Sequence, residues 1–152
     1  MKKAHLLYIF SIFIVVLYLL GFRFAVVLTS SMEPTIPKGS LVIAVPKWLR
    51  EPKVGDVILF KVRLGNGTYK IVHRVVGQEL GYRTKGDAEE YGDPWTVDYD
   101  DVYGVVVIAI PYVGYVALAL KILLIPFLAG VVSYYLCGYY LNRRKRLKMQ
   151  SK

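Results

Sequence analysis

Residues 56–76 read DVILFKVRLGNGTYKIVHRVV. Two runs rich in Val, Ile and aromatic residues, Asp56–Arg63 and Tyr69–Val76, flank a Gly-Asn-Gly sequence at 65–67. Runs of this composition that are bounded by turn residues are typical of β-strands, and Asn and Gly tolerate the positive φ angles of tight hairpin turns. The stretch therefore predicts a β-hairpin.

Further strand-like runs lie on both sides of the hairpin, at Ala25–Ser30, Ser40–Val45 and Val102–Ile110. Turn residues such as Gly, Pro and Asn separate them. The triplet Asn-Gly-Thr at 66–68 also matches the acceptor pattern for N-glycosylation. Because no long amphipathic helix interrupts these runs, we predict a small, mostly antiparallel β domain over residues 23–111.

Apolar segments flank this domain. Ala4–Phe22 has 19 residues, which at 1.5 Å per residue reach about 28 Å, close to the thickness of a bilayer core. It is longer than the apolar core of a cleavable signal peptide, and no small-x-small site closes it, so we expect a lasting transmembrane anchor over 4–22. A second run, Tyr112–Leu141, contains a lysine and a proline that membrane helices tolerate. It predicts an interfacial or transmembrane segment over 112–141.

The net charge of +9 at pH 7 is unevenly distributed. Residues 23–111 carry 11 basic and 11 acidic side chains, and the excess lies in residues 1–3, in Lys121 and in a basic tail over 142–152. By the positive-inside rule both termini are expected in the cytoplasm and the β domain on the other side of the membrane. Basic residues beside apolar spans indicate topology and contact with anionic lipid rather than nucleic-acid binding.

The only cysteine, Cys137, lies in the second apolar segment. The domain over 23–111 therefore has no disulfide and must be stabilised by its core, which is feasible at about 90 residues. The predicted fold class is membrane-anchored and mainly β. A small antiparallel β catalytic domain is expected between an N-terminal and a C-terminal transmembrane helix.

The first group of residues that could carry chemistry is the loop at 29–37, TSSMEPTIP. Pro34 and Pro37 fix φ and stiffen the loop, so Ser31 would be presented rigidly near the membrane. A rigid serine there suits a nucleophile that attacks membrane-delivered peptides. Taken alone, the pattern is more typical of an ordinary turn, because serine before proline is common in turns.

His73 lies in the second strand of the predicted hairpin and is the only histidine within residues 23–111. Because alternate residues of a strand share a face, it is expected on the more apolar face, whereas Lys70 and Arg74 point the other way. A general base must be fixed and partly desolvated, which this placement allows. A hydrogen-bonded core histidine without a chemical role fits the same pattern.

Residues 84–94, TKGDAEEYGDP, form a loop rich in Gly and acids. Such loops are usually solvated, and the spacing does not fit an EF-hand calcium loop. A carboxylate of this loop could instead accept the second ring proton of His73, which fixes the tautomer and stabilises the imidazolium. A lysine base, Lys70 or Lys85, is an alternative to His73, although Lys70 faces away from His73 by strand parity.

In order along the chain, these segments resemble the successive sequence boxes of the signal peptidase I family: Ser31–Thr35 (SMEPT), His73–Val75 (HRV) and Lys85–Asp87 (KGD), with Asp93 beyond. The apolar Val102–Val113 segment is similar to the family's final box, and the resemblance covers residues 4–116. A histidine at position 73, where bacterial members have lysine, resembles the archaeal and endoplasmic-reticulum branch. The resemblance implies an archaeal host, and some Gram-positive bacteria, which carry similar enzymes, are the alternative.

The resemblance implies a catalytic set. Ser31 corresponds to the nucleophile, His73 to the general base and Asp93 to the carboxylate that orients it, with Asp87 in a supporting role. Of the two carboxylates, either could orient the ring.

The resemblance also implies an oxyanion hole made of the Ser31 backbone N–H and the Thr29 hydroxyl. Ser30 stands where many members of the family have glycine. It is therefore a rival for either role, and Ser31 is preferred because it directly precedes Met-x-Pro.

The implied activity is that of a serine endopeptidase at the cell membrane, which removes N-terminal signal peptides from secretory preproteins at the outer surface, after small-x-small sites. Expected partners are preproteins, membrane lipid and the protein-export translocon, without nucleic acid. The chemistry requires no metal or cofactor. The alternative is a non-catalytic membrane scaffold or subunit of an export complex, whose function would survive Ser31→Ala.

Overall fold

The computed structural model describes the backbone of residues 2–150 and the side chains of 9, 12–124, 126–127, 129–130, 132–137 and 139. Seven strands form one sheet in the order β1-β2-β7-β3-β4-β5-β6, and every neighbouring pair is antiparallel. The predicted small antiparallel β domain is therefore confirmed.

One helix precedes the sheet and another follows it: α1 is Lys2–Leu19 and α2 is Val113–Gln150. A short 3₁₀ turn, Tyr99–Asp101, leads into the last strand. The strands are β1 Arg23–Val26, β2 Leu41–Val45, β3 Val57–Leu64, β4 Gly67–Gln78, β5 Tyr82–Lys85, β6 Thr96–Val97 and β7 Val102–Ile110.

Strands β3 and β4 form the predicted hairpin. Leu64 pairs with Gly67, so the connecting loop has two residues, Gly65 and Asn66. Gly65 has a φ of 57°, which a residue without a side chain adopts readily and which the first position of a type II′ turn requires. The turn sets the register of the hairpin, and that register pairs Ile58 with His73.

The first predicted strand, Ala25–Ser30, is displaced in the structure. β1 ends at Val26, and the chain then leaves the sheet. The Val27 amide donates to the Ser40 carbonyl at 2.9 Å, and the Val27 carbonyl accepts from the Gly39 amide at 2.8 Å. These two bonds close the loop over 28–38, which carries Ser31.

Strands β5 and β6 were not predicted from the sequence. They have four and two residues, and neither contains a continuous apolar run. Pairing with β4, which ends only a few residues earlier in the chain, places β5 in the sheet, and strands this short show no periodic signal of their own.

Two clusters of buried apolar side chains stabilise the domain. The larger lies on the central strands and includes Ile58, Phe60, Val75, Tyr82 and Val105. The smaller attaches the 28–38 loop to β2 and contains Val27, Met32, Ile36 and Val42. Met32 has no exposed surface, and burial of a side chain of this size contributes about 1.5–3 kcal/mol. Met32 therefore fixes the position of the residue before it, Ser31.

Helices occupy both apolar segments. Among the residues that the structure describes, no helix is both long enough and apolar enough to cross a membrane. The transmembrane segments expected over 4–22 and 112–141 are therefore not confirmed.

The chain divides into two compact units, Met1–Tyr115 and Val116–Lys152. The first contains the whole sheet, and the second consists of the later turns of α2, with Pro126 inside the helix. The side chains of residues 1–3 and of the basic tail over 142–152, for which a cytoplasmic location was predicted, lie outside the described residues.

Candidate active site

Strand β4 supplies His73. Its pairing with Ile58 of β3 places the ring on the buried face of the sheet, as strand parity predicted, and only 8% of the residue is exposed. The ring of Phe60 meets the imidazole edge-on, with 6.4 Å between ring centroids. Packing on one side thus limits the orientations that the imidazole can adopt.

Ser31 is presented by the loop between β1 and β2. Buried Met32 anchors this loop, and the Ile36 amide donates to the Met32 carbonyl at 2.8 Å. The hydroxyl oxygen of Ser31 lies 3.1 Å from Nε2 of His73. The structure therefore brings together two residues that are 42 positions apart in the chain.

Asp93 comes from the loop that follows β5. Its amide donates to the Thr84 carbonyl at 2.8 Å, and its Oδ2 lies 2.8 Å from Nδ1 of His73. The His73 and Asp93 side chains are 10% and 9% exposed. Ser31, His73 and Asp93 thus form one hydrogen-bonded network, in which the His73 and Asp93 side chains are largely shielded from water.

Asp87, six residues earlier in the same loop, lies against Arg74 instead. Its Oδ1 and Oδ2 accept from Nε and a terminal nitrogen of Arg74 at 2.8 and 2.6 Å. This bond is the main cause that holds the pKa of Asp87 below its ordinary value of 3.8. Partial burial opposes the shift, and a hydrogen bond from Thr35 reinforces it. The same bond raises the pKa of Arg74, so both groups are charged at neutral pH.

The Asp87 end of the loop rests directly on the backbone of Ser31. The Ala88 amide donates to the Ser31 carbonyl at 2.9 Å. A Cβ at Gly86 would lie 2.6 Å from the Ser31 carbonyl oxygen and 3.2 Å from the Ser31 Cβ. Glycine at position 86 is therefore needed for this close approach.

Thr29, the expected oxyanion donor, and Ser30, the rival of Ser31 and Thr29, differ in their contacts. The Thr29 hydroxyl lies 3.1 Å from the Ser31 hydroxyl, where one donor of the expected oxyanion pair would be. Ser30 is exposed, and its carbonyl accepts from the Glu33 amide at 3.0 Å within the turn. The hydrogen-bonded sequence to His73 runs through Ser31 and not through Ser30.

Both lysines considered as alternative bases lie on the other face of the sheet. Lys70 is three positions from His73 in β4, and its ammonium lies over the Tyr103 ring at 5.3 Å. Lys85 pairs with Arg74 in the β4–β5 ladder, so its side chain shares the face of Arg74. The geometry therefore favours His73 as the base.

Thr84 was not among the residues selected from the sequence. Its side-chain hydroxyl donates to Asp93 Oδ2 at 2.6 Å, and the residue is 1% exposed. Its place opposite Val75 in the β4–β5 ladder puts it on the face of His73. Because β5 itself was not predicted, no local pattern could indicate this contact. In the described part of the chain, no group of three His, Cys, Asp or Glu side chains is placed to hold a metal ion.

Serine hydrolases have this arrangement, in which an imidazole is hydrogen-bonded to a hydroxyl on one side and to a carboxylate on the other. In that arrangement the ring exchanges a proton with the hydroxyl, while the carboxylate fixes its tautomer. A small β domain with this geometry defines a class of candidate serine peptidases, and comparison with known proteins identifies the family.

The family described as signal peptidase, peptidase S26, matches residues 1–81. The chain is also similar over 112 residues to signal peptidase complex catalytic subunits SEC11 of fungi. It is 38% identical to that of Colletotrichum graminicola, 37% to that of Verticillium alfalfae and 34% to that of Sclerotinia sclerotiorum. The chain belongs to the signal peptidase I family of peptidases, in its endoplasmic-reticulum-type branch.

Each match covers 63% of this chain and 62% of the relative. The chain thus aligns with about three-fifths of the length of these relatives. The predicted family and branch are confirmed, whereas the archaeal host stays a prediction.

Proposed function

We propose that this chain is a serine endopeptidase that removes signal peptides. Ser31 is the nucleophile, His73 the general base and Asp93 the carboxylate that orients His73. One observation carries the proposal. The His73 ring is hydrogen-bonded to both partners, with 3.1 Å between Nε2 and the Ser31 hydroxyl oxygen and 2.8 Å between Nδ1 and Asp93 Oδ2.

The chemistry follows from the positions of the protons in the Ser31–His73–Asp93 network. Nε2 of His73 takes the Ser31 proton as the oxygen attacks the scissile carbonyl carbon, and Nδ1–H donates to the Asp93 carboxylate throughout. The imidazolium then protonates the leaving amine, the C–N bond breaks and an ester to Ser31 remains. His73 next deprotonates a water that attacks the ester, and the proton returns to Ser31 as the acyl group leaves.

Thr29 is proposed as one oxyanion donor. Ser31 has a single hydroxyl proton, and when that proton is donated to His73 the Thr29 hydroxyl must be the donor in its contact with Ser31. As the Ser31 oxygen bonds to the carbonyl carbon, the Thr29 O–H would turn from it toward the oxygen that becomes negative, and would stabilise that oxygen together with the Ser31 backbone N–H. An oxyanion donor of this kind is worth about 3–4 kcal/mol.

Asp87 has a supporting role in the proposed catalytic set. It pairs with Arg74, and the neighbouring Gly86 and Ala88 approach the Ser31 backbone. Asp87 thereby holds the loop that carries Asp93 in position and takes no part in proton transfer.

The proposed substrates are secretory preproteins with small residues one and three positions before the cut, processed at the outer surface of the cell membrane. The apolar segment over 4–22 lies just before the catalytic domain in the chain, and Trp48 and Leu49 are 69% and 54% exposed. Exposed aromatic residues near basic ones suit a membrane interface. The proposed topology has two spans over 4–22 and 112–141, both termini in the cytoplasm and the β domain outside.

The SEC11 relatives are named as catalytic subunits of a signal peptidase complex. We propose that this chain also works within such a complex, and that it acts on preproteins close to the export translocon, in contact with membrane lipid.

The test is cleavage of a secretory preprotein with an Ala-x-Ala site by the full-length protein purified in detergent, with the masses of the products measured. Ser31→Ala removes the proposed nucleophile, and Ser30→Ala is the matched control in the same loop. The wild type and Ser30→Ala should cut after the Ala-x-Ala site, and Ser31→Ala should not.

Two other outcomes would count against the proposal. Equal cleavage by the wild type and Ser31→Ala would remove Ser31 as the nucleophile. If the folded wild type does not cut in lipid, the non-catalytic scaffold becomes the better explanation.

A further inference from the structure

The Asp93 carboxylate is held by a second residue besides His73. Its Oδ2, which lies 2.8 Å from the imidazole, also accepts from the Thr84 hydroxyl at 2.6 Å. The backbone of the same two residues is joined as well, because the Asp93 amide donates to the Thr84 carbonyl at 2.8 Å. Thr84 thus contacts Asp93 through both its side chain and its main chain.

The two residues differ in how they are supported. Asp93 lies in the irregular segment over 86–95, where no strand ladder fixes the backbone. Thr84 lies in β5, opposite Val75 of β4, two positions along that strand from His73. The Thr84 hydroxyl therefore ties the carboxylate to the same pair of strands that carries the imidazole.

A carboxylate can rotate about its terminal torsion, which is broad in energy. Oδ2 accepts the hydrogen bond from His73 Nδ1–H, and a second donor to the same oxygen restricts this rotation. It keeps Oδ2 directed at Nδ1. The orientation of the ring depends in turn on that hydrogen bond, because it selects the tautomer with Nε2 free to accept the Ser31 proton.

We infer that Thr84 is a positioning residue for the peptidase reaction, which acts through Asp93 to keep His73 oriented toward Ser31. The inference rests on the proposed function. A purely structural role is the competing explanation, since a buried hydroxyl needs a hydrogen-bond partner in any case.

The experiment measures kcat and KM for cleavage of an Ala-x-Ala preprotein by the full-length protein in detergent, together with Tm. Thr84→Val keeps the shape but removes the donor, and Thr84→Ser restores it. Val97→Ala in the neighbouring strand is the matched control, because it loosens the core beside β5 and removes neither of the two hydrogen bonds to the Asp93 carboxylate described above.

Thr84→Val should lower kcat by roughly tenfold to a hundredfold, the range for loss of a hydrogen bond to a charged group, with KM unchanged. Thr84→Ser should regain a kcat within about threefold of the wild type, since its hydroxyl can donate to the same oxygen. Val97→Ala should lower Tm and leave kcat unchanged. In an Asp93→Ala background, Thr84→Val should cause no further loss of kcat, because the group through which it acts is absent.

If Thr84→Val does not fold, Thr84→Cys replaces it, because the thiol keeps the volume and is a weaker donor. Its kcat should lie below that of Thr84→Ser. A wild-type kcat in Thr84→Val or Thr84→Cys, or independent losses in the Asp93→Ala background, would overturn the inference while leaving the proposed function intact. Activity that survives Ser31→Ala would overturn both.

Discussion

Two neighbouring residues of β4, His73 and Arg74, point to opposite faces of the sheet, and each is paired with a carboxylate from the same loop. His73 lies 2.8 Å from Asp93, and Arg74 binds Asp87 through two contacts of 2.6 and 2.8 Å. In sequence the two pairs look alike, because each joins a basic side chain to an aspartate.

The difference lies in what the basic partner can do. Arginine stays charged at every pH at which the protein folds, so the Arg74–Asp87 pair cannot exchange protons and can only hold the loop. A neutral imidazole has one nitrogen that donates a hydrogen bond and one that can accept a proton, so the His73–Asp93 pair can serve proton transfer to and from Ser31. We call Arg74–Asp87 the mechanical pair and His73–Asp93 the chemical pair. Their basic residues are neighbours in β4.

The largest expected effect is that of His73→Ala. Loss of the base should lower kcat by about 10⁴–10⁶-fold. Among the described residues, His73 is the only general base within hydrogen-bond distance of the Ser31 hydroxyl. Initial rates of preprotein cleavage at saturating substrate measure it. Full activity in this variant would end the assignment of the chemical pair.

Gly86→Ala tests the contact between the Asp87 end of the 86–95 segment and the backbone of Ser31. The added Cβ would lie 2.6 Å from the Ser31 carbonyl oxygen, so the backbone at residue 86 or at Ser31 must shift and the contact between them changes. A displacement of about 1 Å can cost about a hundredfold in rate, so kcat should fall by roughly tenfold to a hundredfold. Gly92→Ala, whose Cβ would meet the Thr84 carbonyl oxygen at 3.6 Å, is the control in the same loop and should retain its kcat. Equal rates for the two variants would contradict this account of the contact.

Asp87→Asn should affect stability more than chemistry. Loss of charge on one partner of a partly exposed ion pair should cost about 1–2 kcal/mol in the free energy of unfolding, while kcat stays within about tenfold of the wild type. Denaturant unfolding in detergent, with kcat on the same samples, measures both quantities. A loss of kcat as large as that of His73→Ala would contradict the mechanical role.

The same pair predicts a pH dependence. The pKa of Asp87 is lowered in the folded protein, chiefly by its hydrogen bond to Arg74. A lowered pKa contributes stability that is fully present above the ordinary aspartate pKa and is lost as pH falls through the folded value. The stability difference between the wild type and Asp87→Asn should therefore be constant from about pH 7 to pH 5 and shrink below about pH 4. A difference that disappears between pH 7 and pH 5 would indicate another group.

The smallest expected effect is that of Lys70→Ala. This lysine lies over the Tyr103 ring on the face away from His73, so kcat should stay within about twofold of the wild type, because surface substitutions change energies by up to about 0.5 kcal/mol. A large loss would return the lysine base to consideration.

Local patterns in the sequence were enough for the central part of the fold. The runs rich in Val, Ile and aromatic residues and the Gly-Asn-Gly turn predicted the β3–β4 hairpin, and strand parity predicted the face of His73. The short β5 could not be predicted in the same way, because its place depends on pairing with β4 rather than on any periodicity of its own.

The site shows the same division. Ser31, His73 and Asp93 were found from family boxes, but the sequence could not decide between Asp93 and Asp87 as the partner of His73. That choice depends on the path of the 86–95 segment, which is set by the Thr84–Asp93 backbone bond and by the close approach of Gly86 to Ser31. Contacts of this kind are made through the backbone of a loop and leave no signal in residue spacing.

A parallel measurement of kcat and Tm for Asp93→Asn and Asp87→Asn decides which aspartate serves His73. Asp93→Asn should lower kcat by about 10⁴-fold, because an amide favours the wrong tautomer of the ring, whereas Asp87→Asn should mainly lower Tm. If Asp87→Asn abolishes cleavage while Asp93→Asn keeps it, the two pairs have been assigned the wrong way round.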